Sequence, residues 1–329
     1  MTLTIVDTGR AIRAVPELGE RIRNVGHRLI EPPDPLTTED EVLQWTEAAD
    51  AVIAGGREPF NAHVLQAARR LRVISRAGVG FDRIDVPRAT ALGISVAVTP
   101  GTLEESVADM ALLLLLAAAR QVVPMNAGVH GGRWDRMAGL ELYGKCLGIL
   151  GLGRIGRAVS RRAQSFGMRI VAYDPNPDST WAADNHIRLV DDWPKVLAEA
   201  DVVSLHLPLT PGLVGFVNRD FLRRMRPGSI LVNTARGPLV DEDALAEALT
   251  TGHLRAAALD VLATEPVTAH NPLRDLPNVI LTPHVASFTV EAWRRVVTRA
   301  VDNALAVLAD RLPDALVDPA VWERRRGGA

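Results

Sequence analysis

The chain has 329 residues, of which 47% are hydrophobic and 23% are charged, and its formal net charge is −2 at pH 7. This length predicts two domains, and this balance is typical of a soluble globular protein. The near-neutral charge argues against a nucleic-acid partner. The single cysteine, Cys146, rules out an internal disulfide and a cysteine-rich metal site, so we expect no bound metal.

The first residues and the longest apolar run indicate where the protein works. The N-terminus enters a strand-like segment directly, without the basic and apolar regions of a secretory signal. The most apolar run, residues 110–119, is too short to cross a bilayer and is typical of a buried helix. We therefore expect a cytoplasmic protein without a membrane partner.

Short β-rich runs alternate with amphipathic helical stretches from one end of the chain to the other. In the first part, strands are predicted at residues 3–7, 27–30, 50–55, 71–76 and 93–98, and helices at 38–49 and 61–70. In the second part, strands are predicted at residues 146–151, 169–174, 201–207, 229–235, 256–262 and 279–283. This alternation predicts an α/β protein with two open parallel sheets, each covered by helices.

Two long helices are predicted at the borders of the second sheet, at residues 103–120 and 287–311. A helix that follows the last strand of one domain often returns to cover the other domain. We therefore expect a discontinuous first domain, formed by residues 1–100 and 287–329. The second domain would cover residues 101–286, with a cleft between the two.

The segment "LGILGLGRIGRAV" has the pattern of a strand, a glycine turn and a helix. Gly151, Gly153 and Gly156 provide a tight turn, a close backbone approach to a pyrophosphate and tight helix–strand packing. The helix begins near Arg154, and its N-terminus would face the phosphates with free N–H groups. The alternative is an ordinary turn between a strand and a helix.

Asp174 ends the next predicted strand, eighteen residues after Gly156. An acid at this place would accept hydrogen bonds from the ribose hydroxyls of a dinucleotide. The residues that follow, "PNPDST", contain no Arg or Lys that could receive a 2′-phosphate, which favours NAD over NADP. The alternative is a solvated aspartate.

Three later strand ends carry residues that are candidates for catalysis. Arg236, Glu265 and His284 follow three predicted strands of the second sheet, where open α/β sheets bind their ligands. A guanidinium can bind a substrate carboxylate and polarise a carbonyl, and a histidine can move the hydroxyl proton. A carboxylate on the far ring nitrogen would fix the tautomer and favour the imidazolium. Taken singly, each residue has an alternative: Arg236 as a surface ion-pair partner, Glu265 as a solvated loop acid and His284 as a hydrogen-bonded residue at the end of a strand.

As a set, these segments resemble the D-isomer-specific 2-hydroxyacid dehydrogenase family, which includes phosphoglycerate dehydrogenases and glyoxylate/hydroxypyruvate reductases. Motifs that carry the resemblance are "LRVISRAGVGFDRIDV", "TPGTLEESVADMALLLLLAAAR", "GLELYGKCLGILGLGRIG", "SLHLPLT", "RRMRPGSILVNTARGPLVDEDAL", "ALDVLATEP" and "DLPNVILTPHVAS". They occur in this order over nearly the whole chain.

The resemblance implies an enzyme that uses NAD to interconvert a small 2-oxo acid and its D-2-hydroxy acid. It implies a Rossmann NAD-binding domain inserted into a flavodoxin-like substrate domain, which explains why 146 residues precede the glycine turn. Arg236, Glu265 and His284 would be the catalytic set.

Further contacts are implied by the same resemblance. Asp260 would contact the nicotinamide carboxamide, Arg154 and Ile155 would cradle the pyrophosphate through their backbone, and Pro208 would lie near the adenine. Ala235 and His284 complete the expected cofactor contacts. Substrate contacts are expected from Arg236 and from backbone amides within Ala77–Gly80, above all Val79 and Gly80. By their positions at or just beyond strand ends of the first domain, Arg57 and Arg76 could also contact the substrate, through a second anionic group, and the alternative for both is a solvated or structural role.

Residues 130–145 resemble the arm through which family members dimerise, so a homodimer through the NAD-binding domain is expected, with Trp134 as an apolar anchor. Two other functions stay open. One is an NAD-sensing, corepressor-like binding protein without turnover. The other is a dehydrogenase for another substrate, such as formate. The sequence does not distinguish among glyoxylate, hydroxypyruvate and 3-phosphohydroxypyruvate.

Overall fold

A computed structural model describes residues 2–327 of the chain. The chain divides into two compact units, one formed by Met1–Leu103 with Val290–Ala329 and the other by Glu104–Thr289. The second unit therefore interrupts the sequence of the first. The outermost residues of the first predicted domain, Met1, Gly328 and Ala329, lie outside the described residues.

Strands and helices alternate along the described part of the chain. The strands are β1 Thr4–Asp7, β2 Arg28–Ile30, β3 Ala51–Ala54, β4 Val73–Arg76, β5 Ser95–Ala97, β6 Cys146–Leu150, β7 Arg169–Tyr173, β8 Arg188–Leu189, β9 Val202–Leu205, β10 Ile230–Asn233, β11 Ala256–Leu259 and β12 Val279–Leu281. The helices are α1 Pro16–Asn24, α2 Glu39–Thr46, α3 Ala62–Ala67, α4 Val86–Ala91, α5 Glu104–Arg120, α6 Val122–His130, α7 Arg154–Ser165, α8 Ser179–Asp184, α9 Trp193–Glu199, α10 Arg219–Arg224, α11 Glu242–Thr250 and α12 Val290–Leu308.

Local sequence signals explain where several of these elements begin. Thr38 and Glu41 form a capping box at the start of α2, and the Asn61 side chain accepts a hydrogen bond from the Val64 N–H at the start of α3. All strands predicted from the sequence are present. The strand β8 was not predicted, because two residues are too few to show a periodic pattern.

The sheet of the first unit contains five strands among residues 2–327, in the order β2-β1-β3-β4-β5. All pairs are parallel, so this is the flavodoxin-like order. The long helix α12 packs against β3 and β4, and the Ser75 hydroxyl donates to the Ala300 carbonyl oxygen over 2.7 Å. The C-terminal helix thus completes the core of the first unit, although it is more than 180 residues away from β5 in the sequence.

The sheet of the second unit contains seven strands within the described residues, in the order β12-β11-β10-β9-β6-β7-β8, and all are parallel. The order reverses between β6 and β9, as in Rossmann folds, and ligands of such sheets bind at the carboxyl ends of the strands beside this point. Both predicted parallel-sheet units are therefore confirmed.

Helix α5 is largely buried on the sheet of the second unit. Cys146 is also buried, at the start of β6, and burial raises the pKa of its thiol, which fits packing rather than reactivity. Among the described residues, no single helix has the length and apolar character to span a membrane; α5 and α6, joined at a 65° bend, meet those criteria only as a pair.

Candidate active site

The glycine turn after β6 leaves backbone exposed for a ligand. A Cβ atom at Gly151, where φ is +96°, would lie 2.5 Å from the carbonyl oxygen of His206. At Gly156 a Cβ would lie 2.1 Å from the carbonyl oxygen of Gly151. Any side chain at this position would therefore keep the helix farther from the turn. Around Gly153 no described atom lies within 4 Å of a Cβ position. The first and third predicted glycines thus serve packing, and the second leaves room for a bound group.

The first turn of α7 suits an anion. No described side chain caps this helix, and the N–H groups of Arg154 and Ile155 have no hydrogen-bond partner within residues 2–327. The N-terminus of a helix with free N–H groups carries a partial positive charge. The two backbone groups that the sequence assigned to a pyrophosphate are therefore available for one.

Asp174 follows β7, at the carboxyl edge of the sheet. Its Oδ2 accepts a hydrogen bond from the Leu152 N–H over 2.7 Å, and its Oδ1 accepts one from the Asn176 N–H over 2.8 Å. A carboxylate oxygen has two lone pairs, so each oxygen retains capacity for a hydroxyl donor. Asp174 thus joins the glycine turn to the end of β7 and can still bind a ribose.

Arg157 on α7 was not predicted, because the argument for NAD over NADP considered only the residues that follow Asp174. The Arg157 guanidinium donates to the Leu152 carbonyl oxygen and to Asp178 Oδ2, each over 3.1 Å, and lies 4.6 Å from the centre of the Trp181 ring. Arg157 lies in the first turn of α7, the helix that immediately precedes the strand ending at Asp174, and this place in the sequence could have indicated a cation near the ribose site. Because Asp178 pairs with it, its charge is partly neutralised.

His206 was also missed, although the motif "SLHLPLT" contains it. It follows β9, its N–H donates to the Leu150 carbonyl oxygen over 2.8 Å, and its Nε2 lies 2.9 Å from the Ser204 hydroxyl. Burial lowers the pKa of His206 to about 4, so the ring is neutral near pH 7. We interpret it as a residue that packs against the glycine turn. Pro208, two residues further, is exposed at the same strand end.

His284 and Glu265 are brought together by the loops that follow β12 and β11. His284 Nδ1 lies 2.8 Å from Glu265 Oε2, and their side chains are 46% and 28% exposed. The other carboxylate oxygen of Glu265 accepts a hydrogen bond from the Leu262 N–H over 3.1 Å. The loop backbone therefore holds the carboxylate, and the carboxylate holds the ring.

Asp260 anchors the loop that carries His284. It is 1% exposed, and its carboxylate accepts hydrogen bonds from the Thr282 hydroxyl, the Val285 N–H and the Ala286 N–H over 2.5–3.0 Å. The Asp260 carbonyl oxygen also accepts from the N–H of His284, whose φ is +55°. Both carboxylate oxygens of Asp260 thus hold the loop after β12, and the contact expected between Asp260 and the nicotinamide stays a prediction.

Arg236 lies at the same edge, half-buried after β10. Its Nη1 donates to the Ala235 carbonyl oxygen over 2.7 Å. A Cβ at Gly237 would lie 1.9 Å from the carbonyl carbon of Leu262, so the loops after β10 and β11 touch through their backbones. Since β10, β11 and β12 are neighbours in the sheet, the three predicted catalytic residues lie at three adjacent strand ends. Their roles remain predictions.

In the first unit, the loop after β4 offers two free amides. The N–H groups of Ala77 and Gly78 donate to the carbonyl oxygens of Ala54 and Arg76. Those of Val79 and Gly80 have no hydrogen-bond partner within residues 2–327. Of the four amides in which a carboxylate site is expected, only those of Val79 and Gly80 are therefore available to bind one.

The Arg76 guanidinium is engaged with that loop. It donates to the Gly80 carbonyl oxygen over 3.0 Å and to the Ala77 carbonyl oxygen over 2.5 Å. The structure shows a clamp on the loop, and the substrate contact expected of Arg76 stays a prediction. No group of three or more His, Cys, Asp or Glu side chains within residues 2–327 could hold a metal ion.

A comparison with protein families identifies this arrangement. Residues 112–286 match the NAD binding domain of the D-isomer specific 2-hydroxyacid dehydrogenases. The chain belongs to the D-isomer specific 2-hydroxyacid dehydrogenase family. The cofactor is NAD, and the glycine turn, the first amides of α7 and Asp174 remain the residues predicted to hold it.

Relatives in this family carry several names. The chain is 42% identical over 307 residues to the D-3-phosphoglycerate dehydrogenase of Mycobacterium tuberculosis. The matched residues make up 92% of this chain and 56% of the relative. It is 39% identical to the glyoxylate reductase of Thermofilum pendens, over 90% of this chain and 89% of the relative. The chain thus spans little more than half the length of the phosphoglycerate dehydrogenase relatives.

A solved structure shows the same fold. A crystal structure of a Thermus thermophilus protein superposes with a TM-score of 0.87 at 39% sequence identity and covers 97% of this chain and all of that chain. A glyoxylate reductase of Paecilomyes thermophila also superposes, with a TM-score of 0.86 at 29% sequence identity over 96% of this chain and 98% of that chain. The parallel sheets of both units are therefore those of a 2-hydroxyacid dehydrogenase.

Proposed function

We propose that the protein is an NAD-dependent oxidoreductase that interconverts a small 2-oxo acid and its D-2-hydroxy acid. The observation that carries this proposal is the bond between His284 Nδ1 and Glu265 Oε2, at the strand edge that also carries Arg236 and the glycine turn. Family membership supports it, since the relatives are named dehydrogenases and reductases.

In this proposal the second unit performs the proton transfer. Bound NADH supplies the hydride that C2 of the oxo acid accepts. Glu265 holds the His284 ring by Nδ1, so that Nε2 faces the substrate and donates a proton to the oxygen on C2. Arg236 binds the substrate carboxylate and polarises the C2 carbonyl, because its planar guanidinium offers several donors in fixed directions. In the oxidative direction, His284 takes the hydroxyl proton.

The first unit, Met1–Leu103 with Val290–Ala329, is proposed as the substrate domain. The free N–H groups of Val79 and Gly80 would donate hydrogen bonds to the substrate carboxylate at the carboxyl end of β4. Arg76 supports this role by fixing the carbonyl groups of the same loop. Turnover then needs both units, one for the substrate and one for NAD and the proton donor.

For assembly we propose a homodimer formed through the arm at residues 130–145, and for location the cytoplasm. Support for the dimer comes from apolar side chains that the second unit exposes near this arm. Trp134 is 78% and Tyr143 77% exposed, and Val122, Val123 and Val129 on α6 are about half exposed. Exposed apolar patches of this kind are typical of interfaces.

The decisive experiment is an assay of NADH and NADPH oxidation with glyoxylate, hydroxypyruvate, 3-phosphohydroxypyruvate and pyruvate. We expect turnover of at least one acid and a preference for NADH. An NAD-sensing, corepressor-like protein would bind NADH and turn over none of them, and the named relatives do not support that alternative. Binding of NADH without turnover across the panel would contradict the proposed enzyme.

A further inference from the structure

The first unit carries a buried carboxylate that its proposed role leaves unexplained. Glu58 follows β3 and is 2% exposed. Its Oε1 accepts hydrogen bonds from the Gly55 N–H over 2.6 Å and from the Thr8 hydroxyl over 2.7 Å. Its Oε2 accepts from the Gly56 N–H over 2.6 Å. One carboxylate thus takes two successive backbone N–H groups at the carboxyl end of a parallel strand.

Two successive N–H groups at such a place normally form a site for an external anion. Gly56 has φ +114°, in the left-handed region, and a turn of this kind makes the concave N–H pair that binds phosphates and carboxylates. Here the chain supplies the anion itself. The N–H pair is therefore closed to the phosphate group of a substrate.

The backbone around the Gly55 and Gly56 N–H groups is packed too closely to admit a ligand. A Cβ at Gly9 would lie 2.3 Å from the Gly55 Cα, so the loops after β1 and β3 touch directly. A Cβ at Gly56 would lie 2.1 Å from Arg76 Nη2, so the guanidinium covers the other side. A second buried acid, Asp7, ends β1 and accepts hydrogen bonds from the N–H groups of Ala11 and Ile12. This edge therefore holds two carboxylates and one guanidinium, and their contacts leave no room for a phosphate group beside the N–H pair.

The loop after β3, which carries Glu58, lies beside the loop after β4, which carries the proposed substrate site. Strands β3 and β4 are neighbours, and the proposed carboxylate site at Val79 and Gly80 follows β4. Neighbouring strands lie about 4.8 Å apart, so a group carried on C3 of a three-carbon acid would reach the loop after β3. A hydroxyl group or a hydrogen atom on C3 is small and uncharged, so this loop would not disfavour it. A phosphate there would find both N–H groups already bound to the Glu58 carboxylate, and the Arg76 guanidinium beside Gly56 already donates to the carbonyl oxygens of Ala77 and Gly80.

We infer that Glu58 makes this protein selective for unphosphorylated 2-oxo acids, since its carboxylate occupies the backbone donors that a phosphate group would need. This inference rests on the proposed function and assigns the substrate class of the same site. Glyoxylate and hydroxypyruvate belong to the accepted class, and 3-phosphohydroxypyruvate to the rejected class.

The test compares kcat/KM of the full-length protein, with saturating NADH, for hydroxypyruvate and 3-phosphohydroxypyruvate. We expect the phosphorylated acid to be poorer by about 100-fold, because its phosphate would lose hydrogen bonds to water and find the backbone donors of this loop already bound to Glu58. Equal or better use of 3-phosphohydroxypyruvate would overturn the inference and leave the proposed function standing. No turnover of any 2-oxo acid, with NADH still bound, would instead refute the proposed function.

Variants assign the selectivity to the residue. Glu58→Gln removes the charge at nearly constant shape, and we expect the preference for hydroxypyruvate to shrink by about tenfold, mainly through KM of the phosphorylated acid. Glu20→Gln, which neutralises an exposed acid on α1 of the same unit, should leave the ratio unchanged. If Glu58→Gln leaves the ratio unchanged as well, or if Arg57→Ala lowers use of 3-phosphohydroxypyruvate alone, the assignment is wrong. Where Glu58→Gln does not fold, the wild-type ratio still decides.

Discussion

His284 Nδ1 and Glu265 Oε2 lie 2.8 Å apart, across the loops that follow two neighbouring strands. The N–H of His284 donates to the Asp260 carbonyl oxygen, and its Nε2 has no hydrogen-bond partner within residues 2–327. One ring nitrogen is therefore held by a carboxylate and the other is left for a substrate. An acid–base group needs this combination of a fixed tautomer and an accessible nitrogen.

The first prediction concerns His284. The change His284→Ala should lower kcat by about 10²- to 10⁴-fold, because the proton of the hydroxyl group loses its donor and acceptor. NADH binding, measured by fluorescence titration, should be unchanged within about twofold. The matched control is His270→Ala, at an exposed histidine of the same unit. Normal turnover in His284→Ala would reject the assigned role.

The second prediction concerns Glu265. Glu265→Gln retains an oxygen that can accept from the Leu262 N–H, so the loop should keep its conformation. It loses the negative charge beside the imidazole, and we expect kcat to fall about tenfold or more with little change in KM. Steady-state kinetics measures the two parameters separately. A rise in KM at constant kcat would point to a role in substrate binding instead.

The third prediction concerns Asp174. Asp174→Ala removes the carboxylate that is available for ribose hydroxyls and that binds the Leu152 N–H. The Kd for NADH should rise about tenfold, while kcat at saturating NADH should change much less. Isothermal titration measures the Kd, and Asp184→Ala, an exposed acid at the end of α8, serves as the control. An unchanged Kd would contradict the ribose contact.

The fourth prediction concerns Asp7 and pH. Burial raises its pKa from 3.8 to about 6, aided by the charges of Glu31 and Glu58 and opposed by hydrogen bonds from Ile12 and Ala11. A raised pKa in the folded state stabilises the protein below pH 4, and this contribution is lost as the pH rises through 6.

The free energy of unfolding of the wild type, relative to Asp7→Asn, should therefore fall by about 2 kcal/mol between pH 4 and pH 7.5. Urea unfolding at several pH values measures it. Asp34→Asn, whose side chain is 91% exposed, should show no such trend. A difference that does not vary with pH would show that the Asp7 carboxyl is not perturbed.

The fifth prediction concerns assembly. Trp134→Ala should weaken the proposed homodimer by about tenfold or more, because exposed tryptophans are frequent anchors of interfaces. Light scattering after size exclusion, over a range of concentrations, reports the mass. Leu312→Ala alters an exposed leucine, 63% accessible, in the first unit and should leave the mass unchanged. A wild-type monomer at all concentrations would refute the dimer.

Much of the fold could be predicted because its signals are local. The alternation of apolar runs and amphipathic stretches predicted the strands of both sheets, and the spacing of Gly151, Gly153 and Gly156 predicted a turn before a helix. Arg157 was missed for the opposite reason. Its helix precedes Asp174 in the chain, and only the packing of α7 beside β7 brings the guanidinium to Asp178.

The amino-acid sequence by itself determined the fold class, the two parallel sheets and the residue types at the strand ends, because periodicity and glycine spacing act over a few residues. Only the tertiary structure decided which of these residues meet. The contacts from Glu265 to His284, from Asp260 to the loop after β12, and from Glu58 to Thr8 depend on strand order. Strand order arises from packing between distant segments, and no short pattern encodes it.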